Sequence, residues 1–183
     1  MIEVNIIEQI LLAKNGDQQA FSVIYEFYLT PIYRYIYFRT GDGELAKDLV
    51  QETFIKIFNS LPNLQITDKN PLTYFYTIAR NLLIDNYRKK RIPTIEEDLA
   101  QSILIDYDTP ETEAILQEKI YELKLALNQL SSVEADALIL KYLDNQNNLD
   151  ISKIMGKSEV AIRQLQSRGL RKLKKIIKQD EQR

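Results

Sequence analysis

Residues 158–178 hold seven Lys/Arg and one acid, Glu159. At helical spacing Arg163, Gln164, Ser167, Arg168, Arg171 and Lys175 fall on one face. Ile162, Leu165, Gly169, Leu173 and Ile176 fall opposite. A guanidinium is always charged and offers a planar fork of donors that suits phosphate or a guanine edge, and glutamine suits adenine, for about 1–3 kcal/mol of discrimination. Arg171 and Lys175 suit phosphate, which positions a protein without reading sequence. Upstream runs a short helical segment, 149–155, then Gly156, then Ser158 as a cap. Helix, glycine turn, and a helix with an apolar back and cationic front are built to enter a DNA groove.

A second cluster, Arg80, Arg88, Lys89, Lys90 and Arg91 against Asp85, ends a predicted helix over 72–91. Its Phe75, Ile78, Ala79 and Leu82 point inward, and Thr77, Arg80, Asn81, Ile84, Asp85 and Arg88 form the other face. Such cations are either a solvated helix end or neutralise phosphates, and Tyr74 and Tyr76 are either core aromatics or exposed rings that stack on unpaired bases at about 1–3 kcal/mol each. A third constellation is uncharacteristic of catalysis. Asp48, Gln51, Glu52 and Ile55 share a face away from Leu45, Leu49 and Phe54. By pattern alone that is a solvated face, in which carboxylates at i and i+4 repel slightly.

The elements that carry these groups are helical. Long stretches repeat near 3.6 residues and none alternates, so the expected fold is all-α. With 183 residues, 45% hydrophobic, the chain has material for a core and for one domain or two small ones. Asp17 caps a helix from Gln18 toward Leu29, and Pro31 suits the first turn of another over 32–39. The segment 40–43 is a turn, 44–60 a helix and 61–71 a loop. Residues 93–112, with Pro93, Pro110 and many acids, read as a flexible acidic linker between an N-terminal domain, 1–92, and a C-terminal domain, 113–183. Thr109-Pro110-Glu111 starts the next helix, whose Leu116, Ile120, Leu123, Leu127 and Leu130 share a stripe. Ser131 and Glu134 form a capping box for a helix over 131–143, and 144–148 is a polar turn.

Composition narrows the chemistry. The chain has no cysteine and no histidine. That removes disulfides, thiolate metal sites, the commonest general base and the commonest zinc ligand; an enzyme could still work through carboxylates or lysines, but the usual menu is short, and no metal or cofactor is expected. The start of the chain lacks a signal-peptide pattern and no apolar run has the length of a membrane span, so cytoplasmic localisation without membrane insertion is expected. A formal net charge of −2 sits oddly with DNA binding until its distribution is read. Residues 92–136 hold eleven acids and only Lys119 and Lys124, which leaves the basic patches on either side intact.

Asp48-Leu49-Val50-Gln51-Glu52-Thr53-Phe54 resembles the polymerase-binding segment of bacterial sigma-70-family sigma factors, in particular the compact extracytoplasmic-function (ECF) group. Tyr76-Thr77-Ile78-Ala79-Arg80-Asn81, with Asp85 and 88–91, is similar to that family's promoter-melting, −10-reading helix. Asp150-Ile151 through Ser158, with Arg163, Ser167, Arg168 and Arg171, is similar to its −35-reading helix-turn-helix. The three occur in the family's order and cover most of the chain.

The resemblance implies two helical domains on a flexible tether and no active site, because RNA synthesis belongs to core RNA polymerase. It implies that Asp48, Gln51, Glu52 and Ile55 dock on the coiled coil of the polymerase's largest subunit. It assigns −10 DNA to Asn63, Lys69, Tyr74, Tyr76, Arg80, Asn81, Arg88, Lys89 and Arg91, with the loop 61–71 helping to capture a flipped base. It assigns −35 DNA to Ser158, Arg163, Gln164, Ser167, Arg168, Arg171 and Lys175. The linker would thread the polymerase's cleft, and the family's members are often restrained by an anti-sigma factor. Two other readings share the cationic helix. A stand-alone helix-turn-helix regulator binding operators as a dimer leaves 48–54 and 76–91 without a purpose. A sigma-like decoy would bind polymerase without initiating.

Overall fold

In the computed structural model, residues 5–64, 70–89 and 110–180 are described. Among them every regular element is helical: α1 (Ile6–Lys14), α2 (Gln18–Thr40), α3 (Gly43–Ser60), a 3-10 turn (Leu61–Asn63), α4 (Leu72–Lys89), α5 (Pro110–Asn128), α6 (Ser132–Leu138), a π turn (Ile139–Leu143), α7 (Asn148–Met155) and α8 (Glu159–Asp180). They form two helical domains, α1–α4 and α5–α8, as the sequence predicts. Most of the predicted linker, 93–109, lies outside the described residues, and its last three residues already belong to α5.

Local chemistry explains the boundaries. Asp17 accepts the amides of Gln19 and Ala20 at 2.9 and 3.0 Å and starts α2. Asp42 accepts the Leu45 amide at 3.0 Å and starts α3. Gly156 closes α7 at φ 61°, a left-handed conformation that glycine adopts without a Cβ penalty. The prediction of two helices around Pro31 is corrected: α2 runs unbroken through it. An interior proline costs about 3 kcal/mol, but Ile24, Tyr28, Ile32, Tyr35 and Ile36 form one buried stripe spanning both sides of Pro31. The carbonyl it leaves unpaired belongs to Phe27, an exposed position where water can reach. The predicted helix over 131–143 also changes character, since α6 gives way to a π turn after Leu138.

The N-terminal core is aromatic. Phe75 of α4 packs on Tyr28 of α2 with ring centroids 4.6 Å apart, and Phe54 of α3 meets Tyr25 at 4.6 Å. In the C-terminal domain α8 lies on α6 so closely that a Cβ built on Gly169 would stand 2.9 Å from Leu138 Cδ1. Glycine there sets how near α8 sits to α6.

Candidate nucleic-acid interface

Helix α8 presents its polar face as predicted. Arg163, Gln164, Ser167, Arg168 and Arg171 are exposed and line a shallow depression with Val160, and Lys175 is exposed one turn further. Ile162 and Gly169 are buried, with Leu165, Leu173 and Ile176 half-buried behind. The Ser158 hydroxyl accepts the Ala161 amide at 3.2 Å, which caps the helix. Arg168 Nη2 donates to Gln164 Oε1 at 3.4 Å, so two base-reading candidates one turn apart hold each other. Two contacts that the sequence reading missed fix the helix in place. Gln166 Nε2, buried, donates to Asn148 Oδ1 at 3.0 Å and ties α8 to α7. Lys172 Nζ meets Glu134 Oε2 at 2.8 Å and ties α8 to α6. That contact, with the Ser131 hydroxyl, holds the Glu134 carboxyl below its usual range.

On α3, Asp48, Gln51, Glu52 and Ile55 are all exposed on one face, and the opposite face buries Leu49, Val50, Thr53, Phe54 and Ile57. Beside Gln51 and Ile55 runs an apolar groove of about 530 Å³ between α2 and α3, lined also by Phe21, Tyr25 and Phe58. Phe21 and Phe58 pack edge to face with centroids 4.9 Å apart, yet Phe58 stays exposed. The sequence reading did not single out Phe58. Its signal is an aromatic two residues before the end of a helix, outside the core stripe.

The α4 surface differs from expectation. Asn81, Arg88 and Lys89 are exposed, and so is Asn63 on the 3-10 turn. Lys69 and Arg91 lie outside the described residues. Tyr74 is half-buried, and its hydroxyl donates to Ser60 Oγ at 2.7 Å. Tyr76 is not displayed as an exposed aromatic: it is 0% exposed, packed edge to face on Tyr35 at 5.4 Å. Arg80 is turned toward the C-terminal domain, where its Nε donates to Asp136 Oδ2 at 3.0 Å.

Asp136 is the centre of a buried polar cluster that no sequence motif announces. Its Oδ1 also accepts Arg39 Nε at 2.6 Å and the Tyr35 hydroxyl at 3.0 Å. Burial and the neighbouring Asp136 carboxylate push the Tyr35 hydroxyl well above its ordinary value. The Tyr87 hydroxyl donates to the Arg39 carbonyl and closes the cluster on its outer side. Nearby, Arg34 of α2 meets Asp144 at 2.5 Å. Burial outweighs that cation and pushes the Asp144 carboxyl up to about 6. Tyr76 stands beside Asp144, and burial with that neighbouring carboxylate pushes the Tyr76 hydroxyl well above its ordinary value. The π turn explains why both aspartates look the same way. Eight residues apart on an α-helix they would diverge by about 80°. The extra residue held in the π turn takes back about that much.

Among the described residues no acidic cluster converges to hold a metal ion, and no helix is long and apolar enough to cross a membrane.

Comparison with known proteins finds matches in both domains. Residues 24–92 match the family model for sigma-70 region 2, and residues 120–173 match that for sigma-70 region 4. The ECF RNA polymerase sigma factor SigM of Bacillus subtilis is 30% identical over 155 residues, which cover 84% of this chain and 92% of that protein. BldN of Streptomyces coelicolor, also an ECF RNA polymerase sigma factor, is 28% identical over 174 residues; the match takes in 92% of this chain but only 64% of BldN's length. In fold the chain is similar to the Bartonella quintana sigma factor RpoE, solved with the anti-sigma factor NepR, at TM-score 0.72 and 20% identity, covering 87% of this chain and 98% of that one.

Proposed function

The chain belongs to the ECF group of the sigma-70 family of RNA polymerase sigma factors, and from that premise we propose how its surfaces divide the work. It is an alternative sigma factor, a transcription initiation factor that directs promoter-specific transcription. The core enzyme synthesises RNA, and no residue of this chain is given a catalytic role. The N-terminal domain, 1–92, docks through Asp48, Gln51, Glu52 and Ile55 on the coiled coil of the polymerase's largest subunit. The adjoining Phe21–Phe58 groove adds apolar surface beside that face. The α4 surface, with Asn81, Arg88 and Lys89 outermost, opens and reads the −10 element. The C-terminal domain, 113–183, lays α8 in the −35 major groove, with Arg163, Gln164, Ser167 and Arg168 toward base edges and Arg171 and Lys175 toward phosphates. The protein acts in the cytoplasm, where polymerase and promoters are, and an anti-sigma factor is the partner expected to restrain it.

The observation that carries this reading is that the docking face of α3 and the cationic face of α8 are both wholly exposed, while each helix is anchored by a buried opposite face. The test is run-off transcription with core polymerase on a promoter library, beside a gel shift of the free protein. Promoter-specific transcripts from the wild type, lost in Glu52→Lys with unchanged helical circular dichroism, support the assignment. Tight operator-like binding by the free protein and no transcripts would favour a stand-alone regulator.

A further inference from the structure

The seam between the two domains opens into a cleft of about 970 Å³, walled by α2 and α4 on one side and by the end of α5 and the start of α6 on the other. That volume is on the scale of sites that enclose a small organic molecule. Arg39, Arg80 and Arg88 supply three cations to the lining, and its one carboxylate is Asp136. Asp85 lies outside the lining, 4.0 Å from Arg88, and both side chains are mostly exposed, so water screens that pair. Leu83, Ile84, Leu130 and Val133 add apolar surface.

Asp136 cannot satisfy its two guanidiniums. Arg39 and Arg80 each reach it through Nε, at 2.6 and 3.0 Å. A guanidinium has five N–H donors, whereas a carboxylate has about four acceptor sites, one of them here taken by the Tyr35 hydroxyl. Even with every remaining site filled, most of the roughly ten donors are left over. Arg39 is only 7% exposed, so its surplus is held in a largely dehydrated wall, where a charge-assisted bond is strong. Tyr87 supplies a second kind of contact. Its hydroxyl donates to the Arg39 carbonyl and fixes the ring on the cleft wall, with Arg39 Cζ 5.6 Å from the ring centroid. The residue is still 44% exposed. A fixed, half-open aromatic ring beside surplus guanidiniums suits a flat ring that carries phosphate, since the rings stack and the phosphate takes bidentate bonds.

From this juxtaposition we propose that the cleft is a binding site for a free nucleoside diphosphate, with its phosphates on Arg39, Arg80 and Arg88 and its base on Tyr87. Three cations less one carboxylate leave two positive charges in the lining. A diphosphate neutralises that surplus, whereas a single phosphodiester of DNA, with one charge, leaves half of it unmet.

Isothermal titration calorimetry of the full-length protein tests the site with three probes: ADP, adenosine and inorganic pyrophosphate. ADP should bind at least about tenfold more tightly than either fragment, because the ring and phosphate contacts act together. Tyr87→Leu should weaken ADP about tenfold, within the range for a base stacked on an aromatic side chain, and leave pyrophosphate unchanged. Ser132 and Asn128 are exposed lining residues, at the first position of α6 and the last of α5. Ser132→Glu puts an acid at a helix start and Asn128→Lys a cation at a helix end, so both agree with the helix dipole and keep the fold. Ser132→Glu should weaken ADP and pyrophosphate about threefold, and Asn128→Lys should tighten both by as much, the scale of a single exposed charge pair. No ADP binding by the wild type, or ADP binding that none of the three variants moves, would overturn the site. A single-stranded oligonucleotide separates the sources of phosphate: if it shows the three responses while ADP does not bind, the cleft serves DNA and the proposal fails. Polymerase is absent from every titration, so their outcome leaves the sigma-factor reading to its own transcription test.

Discussion

Helices α4 and α8 both carry cations suited to nucleic acid, and the protein treats them in opposite ways. On α8 every predicted DNA residue is exposed, and the ion pair Arg163–Glu159, at 3.6 Å, runs along the helix surface. On α4 the predicted Arg80 is 14% exposed at its side chain and held by a carboxylate from the other domain, and Tyr76 is sealed beneath α2. The difference is one of cost. An exposed cation meets phosphate after shedding only water, whereas Arg80 must first leave a buried partner. One surface is ready to bind and the other has to be released, which suits a protein that locates duplex DNA before opening it.

The largest effect expected on this contrast is in duplex binding. Arg163→Ala with Arg168→Ala removes two base-reading candidates, each worth about 1–3 kcal/mol, and should weaken binding of the free protein to a −35 duplex by about 2–6 kcal/mol. Arg80→Ala should leave that affinity unchanged, because Asp136 keeps Arg39 and Tyr35. Fluorescence anisotropy at fixed salt decides it. Equal losses from the two substitutions would erase the distinction between a presented and a withheld surface.

Acidity is the next lever, and its sign is against intuition. Arg34 and Tyr76 face Asp144 in the seam, and burial raises its carboxyl from 3.8 to about 6. That displacement is worth about 3 kcal/mol. A raised value means that the folded chain holds the proton more tightly than the unfolded one, where Asp144 is hydrated. Its contribution to stability is therefore complete below about 4 and is lost as pH rises through about 6. Between pH 7.5 and 5 urea unfolding should show this site stabilising the fold further, although an ion pair between Arg34 and Asp144 would suggest the reverse. Asp144→Asn should flatten that response.

How much of this was legible in advance depends on whether the determinant is local. Caps at Asp17 and Ser158, the stripe on α3 and the cationic face of α8 follow from neighbours within two turns, and the structure has them as read. The helix through Pro31 was misread because the proline is a local signal, and the stripe from Ile24 to Ile36 that overrides it is tertiary. The Asp136 cluster was missed for a related reason. Its partners are 97, 101 and 56 residues away in sequence. There was a trace: Arg39 continues the buried stripe of Ile32, Tyr35 and Ile36, and Asp136 shares a face with the buried Ile139 and Leu140. Opposite charges on two core stripes of one chain are seldom left unpaired, and matching them would have brought α2 onto α6.

A smaller effect tests the support of the presented surface. A Cβ at Gly169 would stand 2.9 Å from Leu138 Cδ1 and 3.5 Å from Glu134 Cβ, so Gly169→Val must push α8 off α6. Overpacking of this kind costs about 1–3 kcal/mol. Urea unfolding should show that loss, and duplex affinity should fall with it as the Lys172–Glu134 tie is stretched.

The smallest effect concerns Glu52, whose carboxylate lies 3.4 Å from Lys56 Nζ one turn on, both half exposed to solvent. Such i, i+4 pairs contribute about 0.3–0.5 kcal/mol and fade with salt, against the several kcal/mol at stake when a buried partner such as Asp136 is removed. Lys56→Gln should therefore change stability by no more than about 0.5 kcal/mol. Its informative readout is polymerase binding. If Glu52 is a docking residue, releasing it from Lys56 leaves holoenzyme formation intact or slightly tighter at low salt, with the gain gone at high salt. A large loss of binding in Lys56→Gln would mean that the cation itself is part of the docking face. The polymerase would then read a pair of charges there, as the seam does at Asp136.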